Sequence, residues 1–135
     1  MRGGTTPVLD RPRILVVDDE VVVRRVLNDY LTKKGFTVTC VDSGEEAVEW
    51  VRTQPAGLVM LDIFMPGANG LEILRALKRQ SPSTPVVVIS GFADEELEGK
   101  VKALGAVDCV RKPFDFATLH ALVSRHCGGA AAARG

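Results

Sequence analysis

Four short stretches place residues that can do chemistry immediately after apolar runs. The acidic run Asp18-Asp19-Glu20 follows Ile14 to Val17, and Asp62 stands alone between Leu58–Leu61 and Ile63–Met65. Ser90 and Gly91 close the run Val86–Ile89, and Arg111, Lys112 and Pro113 close a shorter run ending in Val110. A carboxylate in apolar company is expensive to desolvate unless it has partners. Carboxylates crowded together repel, and each resists ionisation unless a cation sits among them. A hard, oxygen-seeking ion such as Mg²⁺ resolves this, because it uses few carboxylates and keeps its waters. Asp62 held in that way is an activated carboxylate oxygen, aimed as a nucleophile.

Each stretch alone has a plainer reading. Acids at positions 18–20 suit a solvated helix N-terminus, Ser90 can simply end a strand, and Lys112-Pro113 can be a surface turn. Asp62 is harder to dismiss, because it is flanked by apolar residues on both sides. What joins the stretches is the order of elements that must position them.

That order is a strict alternation. Strands are expected at Arg13–Val17, Phe36–Val41, Gly57–Leu61, Thr84–Ser90 and Ala106–Val110, short runs dominated by apolar residues and β-formers. Between them, apolar residues recur at helical spacing: Val23, Val26, Leu27, Tyr30 and Leu31, then Ala47, Val48 and Val51, then Leu71, Leu74 and Leu77. Leu97, Val101 and Leu104 mark a fourth helix, weakened by Gly99, and Phe116, Leu119, Leu122, Val123 and His126 mark a fifth. Ser43, with Glu46 three residues on, signals a capping box, and Asp94 and Asp115 open the last two helices. Gly35 stops the first helix, Gly105 stands at the C′ position of the fourth, and Pro66 and Gly70 are read into a loop.

Five βα units imply a parallel sheet with helices on both faces, in the flavodoxin-like (βα)5 order 2-1-3-4-5. Ligands of such sheets bind beyond the carboxyl ends of the strands, here between strands one and three. All four chemistry-bearing stretches lie at that end.

Composition narrows the class. The 135 residues suit one domain, read as a disordered leader over 1–12, a domain over 13–126 and a flexible tail over 127–135. Seventeen basic residues balance seventeen acidic ones, so no global basic field argues for nucleic acid. No apolar run approaches the roughly 20 residues of a membrane helix, and no signal-peptide pattern opens the chain. Cys40, Cys109 and Cys127 form no CxxC pair, as expected of reduced thiols in a cytoplasmic protein. His120 and His126 are six apart on one helix and do not share a face.

The motifs ILVVDDE, LVMLDIFMPGANG, PVVVISG and GAVDCVRKPF, in this order and each at a strand end, resemble the response-regulator receiver domain of two-component signalling. The resemblance spans about residues 13–126. It implies that Asp62 accepts a phosphoryl group from a phosphohistidine on a sensor histidine kinase or phosphotransfer protein. It implies Mg²⁺, with Mn²⁺ as a substitute, bound by the side chains of Asp19 and Asp62 and the main-chain carbonyl of Phe64, with Asp18 acting through a metal-bound water. Ser90 and Lys112 would hold phosphoryl oxygens. Gly91 would allow close approach, and a cis peptide before Pro113 would aim Lys112 into the pocket. The chain would catalyse only its own phosphorylation and dephosphorylation, so it is not read as an enzyme.

Two departures stand out. Cys109 occupies the position where the family usually has Tyr or Phe, the ring that reports the switch. Phe64 and Phe92 flank the site, where bulky apolar groups would hinder hydrolysis of the acyl phosphate. A redox role for Cys109 lacks an adjacent base. Taken as complete, the chain reads as a stand-alone receiver, a monomer or phosphorylation-dependent dimer that offers a changed surface to an unknown downstream protein. Neither nucleic acid nor membrane is expected to bind it directly. Taken as a fragment, it reads as the receiver of a transcription regulator or hybrid kinase. A degenerate receiver that binds partners without phosphorylation is a third form. A phosphohydrolase with an aspartyl-phosphate intermediate would need a second acid two residues after Asp62, where this chain has Phe64.

Overall fold

A computed structural model describes residues 13–127. The leader expected over residues 1–12, and residues 128–135 of the expected tail, lie outside the described residues. Within them, strands and helices alternate: β1 Arg13–Val17, α1 Val21–Lys33, β2 Thr37–Val41, α2 Gly44–Thr53, β3 Leu58–Asp62, α3 Gly70–Gln80, β4 Val86–Ser90, α4 Glu95–Ala103, β5 Asp108–Arg111 and α5 Phe116–His126. The five strands form one parallel sheet in the order β2-β1-β3-β4-β5.

Alternation along the strands builds two cores, because successive side chains leave opposite faces. Leu15, Val17, Val59, Leu61, Val86 and Val88 face α2, α3 and α4 through Ala47, Val51, Leu74, Leu77 and Val101. Ile14, Val16, Leu58, Met60, Val87 and Ile89 face α1 and α5 through Leu27, Leu31, Leu119, Leu122 and Val123. With both faces covered, β3 and β4 are buried at every residue, which explains their unbroken apolar runs. Cys127 is 1% exposed and packs in the second core, so ordered structure reaches one residue into the expected tail.

Several element boundaries differ from the sequence reading, each for a backbone reason. Phe36 and Ala106 are expected to begin strands, but both close helices. In α1, Gly35 N–H donates to Thr32 O and Phe36 N–H to Leu31 O, at 3.0 and 3.1 Å. In α4 the same pattern joins Gly105 to Lys102 and Ala106 to Val101, at 3.0 and 2.9 Å. These are Schellman closures, and the glycines supply the left-handed residue with φ of 98° and 109°. β4 starts at Val86, since Pro85 has no N–H to give the ladder. Gly70 opens α3 instead of lying in a loop, and Asn69 caps that helix by accepting from Glu72 N–H at 3.3 Å. A Cβ on Gly70 would lie 2.0 Å from the Ile63 carbonyl oxygen, so only glycine lets α3 start this close to the end of β3.

Strand register then fixes the site. Val17 is level with Leu61, which makes Asp18 and Asp62 neighbours one step further on. Asp62 is level with Ile89, and Ser90 with Arg111. Among the described residues, no helix is long and apolar enough to cross a membrane.

Candidate functional site

Asp18 follows β1 and is 1% exposed, with its N–H bonded to Val41 O of β2 at 3.2 Å. Its Oδ1 accepts from Glu20 N–H at 2.9 Å, and its carbonyl accepts from the Arg24 guanidinium at 2.7 Å. Arg24, in the first turn of α1, therefore anchors the turn that carries Asp18. Asp62 ends β3, 3% exposed, and its Oδ1 accepts from Phe64 N–H at 3.1 Å. Ser90 ends β4, fully buried, and its Oγ accepts from Phe92 N–H at 2.9 Å. That bond leaves the hydroxyl proton free to be donated.

Lys112 joins these ends. Its own N–H donates to Ser90 O at 2.8 Å, and the Lys112–Pro113 peptide is cis. Its Nζ lies 2.9 Å from Asp18 Oδ2, 3.0 Å from Glu20 Oε1 and 3.3 Å from Asp62 Oδ2. The contacts to Glu20 and Asp62 are hydrogen bonds. Asp18 Oδ2 is buried with no hydrogen bond aligned to it, although the ammonium is close. Three carboxylates thus share one ammonium, with ligand oxygens within 4.8 Å of one another.

The titration of the site follows from this imbalance. Burial, and then the charge of Asp18, push the Asp62 carboxyl up to about 6, against the opposing pull of Lys112 and the Phe64 N–H. Burial works against the Lys112 ammonium, but its contacts with Asp18 and Glu20 and the charges of Asp18 and Asp62 reverse that and hold its pKa above the usual range. An excess of buried negative charge, with one buried oxygen lacking a hydrogen bond, fits a hard cation bound by oxygen.

The structure brings the strand ends that carry Asp18, Asp62, Ser90 and Lys112 together and sets two neighbours apart. Asp19 is exposed and outside the cluster, lining a cleft with Asp42, Ser43 and Gly67. Glu20 takes part instead, a residue that the sequence places at the strand end without a role. Phe64 contributes its amide to Asp62, and its ring meets that of Phe92 edge-to-face at 5.9 Å and 84°. Both rings are exposed, at 54% and 75%. Gly91 is exposed, and a Cβ there would meet no protein atom within 4 Å. Cys109 is 8% exposed on β5, and burial followed by the charges of Glu98 and Asp108 pushes its thiol pKa up. That environment is the reverse of what activates a thiol.

The model of the response regulator receiver domain matches residues 14–124. The chain belongs to this family. It is similar to the transcriptional regulatory protein FixJ of Bradyrhizobium diazoefficiens, 34% identical over 110 residues that make up 82% of this chain and 54% of FixJ. The chain spans only 24% of another such relative, the regulatory protein AtoC of Escherichia coli, at 34% identity over 84% of its own length. Among solved structures, the chemotaxis protein CheY4 of Vibrio cholerae superposes with a TM-score of 0.81 at 26% identity, covering 86% of this chain and 98% of that one. The receiver fold of two-component response regulators is thereby established, and the acidic cluster lies beyond the carboxyl ends of β1 and β3, where parallel sheets of this kind present their sites.

Proposed function

We propose that the chain is a phosphoacceptor switch in which Asp62 takes a phosphoryl group from a phosphohistidine on a sensor kinase or phosphotransfer protein. An Asp62 oxygen attacks phosphorus as the P–N bond to the donor imidazole breaks, and the imidazole leaves with the bonding pair. The observation that carries the reading is the Lys112 ammonium, 3.3 Å from Asp62 Oδ2 at the end of β3. Such transfer needs little covalent help, only positioning and cationic stabilisation of the equatorial oxygens. Lys112 supplies a charge for those oxygens, and the Ser90 hydroxyl supplies a donor. Mg²⁺ or Mn²⁺, held by Asp18 and Asp62 and, by family resemblance, Asp19 and the Phe64 carbonyl, would supply the rest of the charge.

The chain turns over no separate substrate on this reading. Its product is its own phosphorylated form, whose altered surface is offered to a downstream protein as a monomer or a phosphorylation-dependent dimer. The same switch serves a stand-alone receiver or one within a longer regulator, and an immunoblot of the native protein distinguishes the two by size.

Intact-mass spectrometry after incubation with phosphoramidate tests the proposal, with Mg²⁺ present or chelated and Asp62→Asn as control. One phosphoryl adduct that requires both Mg²⁺ and Asp62 is expected. Absence of the adduct in a protein that binds Mg²⁺ sinks the reading and leaves a binding module that keeps the pocket without the chemistry.

A further inference from the structure

Glu20 stands at the N-cap of α1 in extended backbone, yet its side chain makes no capping bond to the helix. Its carboxylate instead reaches Lys112 across the site, at 3.0 Å. The two buried carboxylates each have one oxygen already committed. Asp18 Oδ1 accepts from Glu20 N–H at 2.9 Å, and Asp62 Oδ1 from Phe64 N–H at 3.1 Å. The Oδ2 atom of each remains, and Lys112 lies against both, at 2.9 and 3.3 Å. Asp18 Oδ2, buried and without an aligned hydrogen bond, is the acceptor left open.

A divalent ion that draws on these Oδ2 atoms, directly at Asp62 and directly or through a bound water at Asp18, meets the ammonium there. Lys112 cannot simply be left behind, because its side chain is only 18% exposed and a buried unpaired charge is strongly unfavourable. Glu20 is different in kind from the other two acids, with a longer side chain that is 57% exposed. It can keep the ammonium while Asp18 and Asp62 turn to the ion.

We propose that Glu20 is a positioning residue that parks Lys112, so that a divalent cation, with its bound water, can draw on Asp18 Oδ2 and Asp62 Oδ2 without stranding the ammonium. Glu20 acts through Lys112 and does not need to touch the ion. This rests on the divalent site of the proposed function but not on phosphoryl transfer. Neutralising Glu20 leaves Lys112 with only the two oxygens on which the ion draws, so the two cations compete.

Calorimetric titration of the full chain with Mg²⁺ tests this in wild type, Glu20→Gln and Glu20→Asp, with Glu20→Gln repeated in a Lys112→Met background. Circular dichroism checks each fold, and Lys112→Gln replaces Lys112→Met if that variant does not fold. Glu20→Gln should weaken Mg²⁺ binding roughly tenfold, the scale of one charge-assisted hydrogen bond, with Glu20→Asp in between. In the Lys112→Met background the same change should lose no more than about threefold, the residual field of one rim charge. Equal losses in the two backgrounds overturn the proposal, because Glu20 would then act on the ion directly. So does a Glu20→Gln variant that binds as wild type does, or a wild type that binds no Mg²⁺. A protein that shows the expected Mg²⁺ pattern but forms no phosphoryl adduct overturns the phosphoacceptor reading alone.

Discussion

Replacing Asp62 with Asn should stabilise the metal-free protein at neutral pH. Burial and the neighbouring Asp18 raise the Asp62 carboxyl from 3.8 to about 6, so the folded state holds a proton more tightly than the unfolded chain does. A carboxyl shifted upward destabilises the fold once it is ionised. Its penalty is absent well below pH 3.8, grows as pH rises through the window up to about 6, and is constant above it. Two pK units correspond to about 3 kcal/mol at pH 7.5, falling to roughly half of that at pH 5 and to a small fraction of it at pH 4. Asparagine keeps an acceptor for Phe64 N–H but gives Lys112 a weaker one, and Asp18 and Glu20 continue to hold that ammonium. A net gain of about 2 kcal/mol at pH 7.5 remains, or roughly 6–8 °C in Tm for a domain of this size. Urea unfolding of both proteins in EDTA, at several pH values from 4 to 7.5, measures it. The other carboxyl groups titrate in both proteins, so the difference isolates Asp62. The advantage should shrink toward pH 4, and Mg²⁺ should narrow it by binding the folded wild type more tightly. An Asp62→Asn variant no more stable than wild type at pH 7.5, or an advantage independent of pH, would refute the account of a site that is electrostatically strained without a cation.

Two glycines should respond to alanine in opposite directions. Gly70→Ala places a Cβ against the Ile63 backbone and should cost about 2 kcal/mol or more despite alanine's higher helix propensity, as urea unfolding would register. Gly99→Ala, exposed within α4 with no atom within 4 Å, should gain about 0.5–1 kcal/mol in the same assay. Phe92→Ala breaks the edge-to-face pair with Phe64 at the mouth of the site and should shorten the half-life of the phosphoryl adduct, followed by mass spectrometry. An unchanged half-life would mean that the rings do not restrict water.

The fold was legible because its signals are local and agree with one another. Each face of β1 and β3 alternates between two cores, and each of α2, α4 and α5 opens on a residue that the sequence marks as a cap: Ser43, Asp94 and Asp115. The capping box was legible only in part. Ser43 Oγ accepts from Glu46 N–H at 3.2 Å, while the Glu46 carboxylate lies 3.5 Å from that same hydroxyl. The boundaries that moved are those decided by backbone partners, which a pattern of side chains does not reveal. Ala106 reads as the start of a strand because it precedes Val107, but its N–H is already committed to Val101. Gly70 reads as a turn residue, and only the proximity of Ile63 shows why a helix starts there.

At the site, the sequence revealed which strand ends meet but not which side chains share a direction. Asp18, Asp19 and Glu20 look equivalent as a string. The chain bends at Asp19, and the turn in which Asp18 Oδ1 accepts from Glu20 N–H sets Asp18 and Glu20 on the Lys112 side, while Asp19 falls toward Asp42 and Ser43. That turn is a matter of backbone partners, and nothing in the run Asp18-Asp19-Glu20 marks which acid it sends away from the site. Burial, and then the charge of Asp18, raise the Asp62 pKa to about 6 because one shared ammonium does not offset them, the condition that a divalent cation relieves. The stabilisation expected of Asp62→Asn and the competition expected in Glu20→Gln therefore have one origin, the burial of more carboxylate than one ammonium can compensate at the ends of β1 and β3.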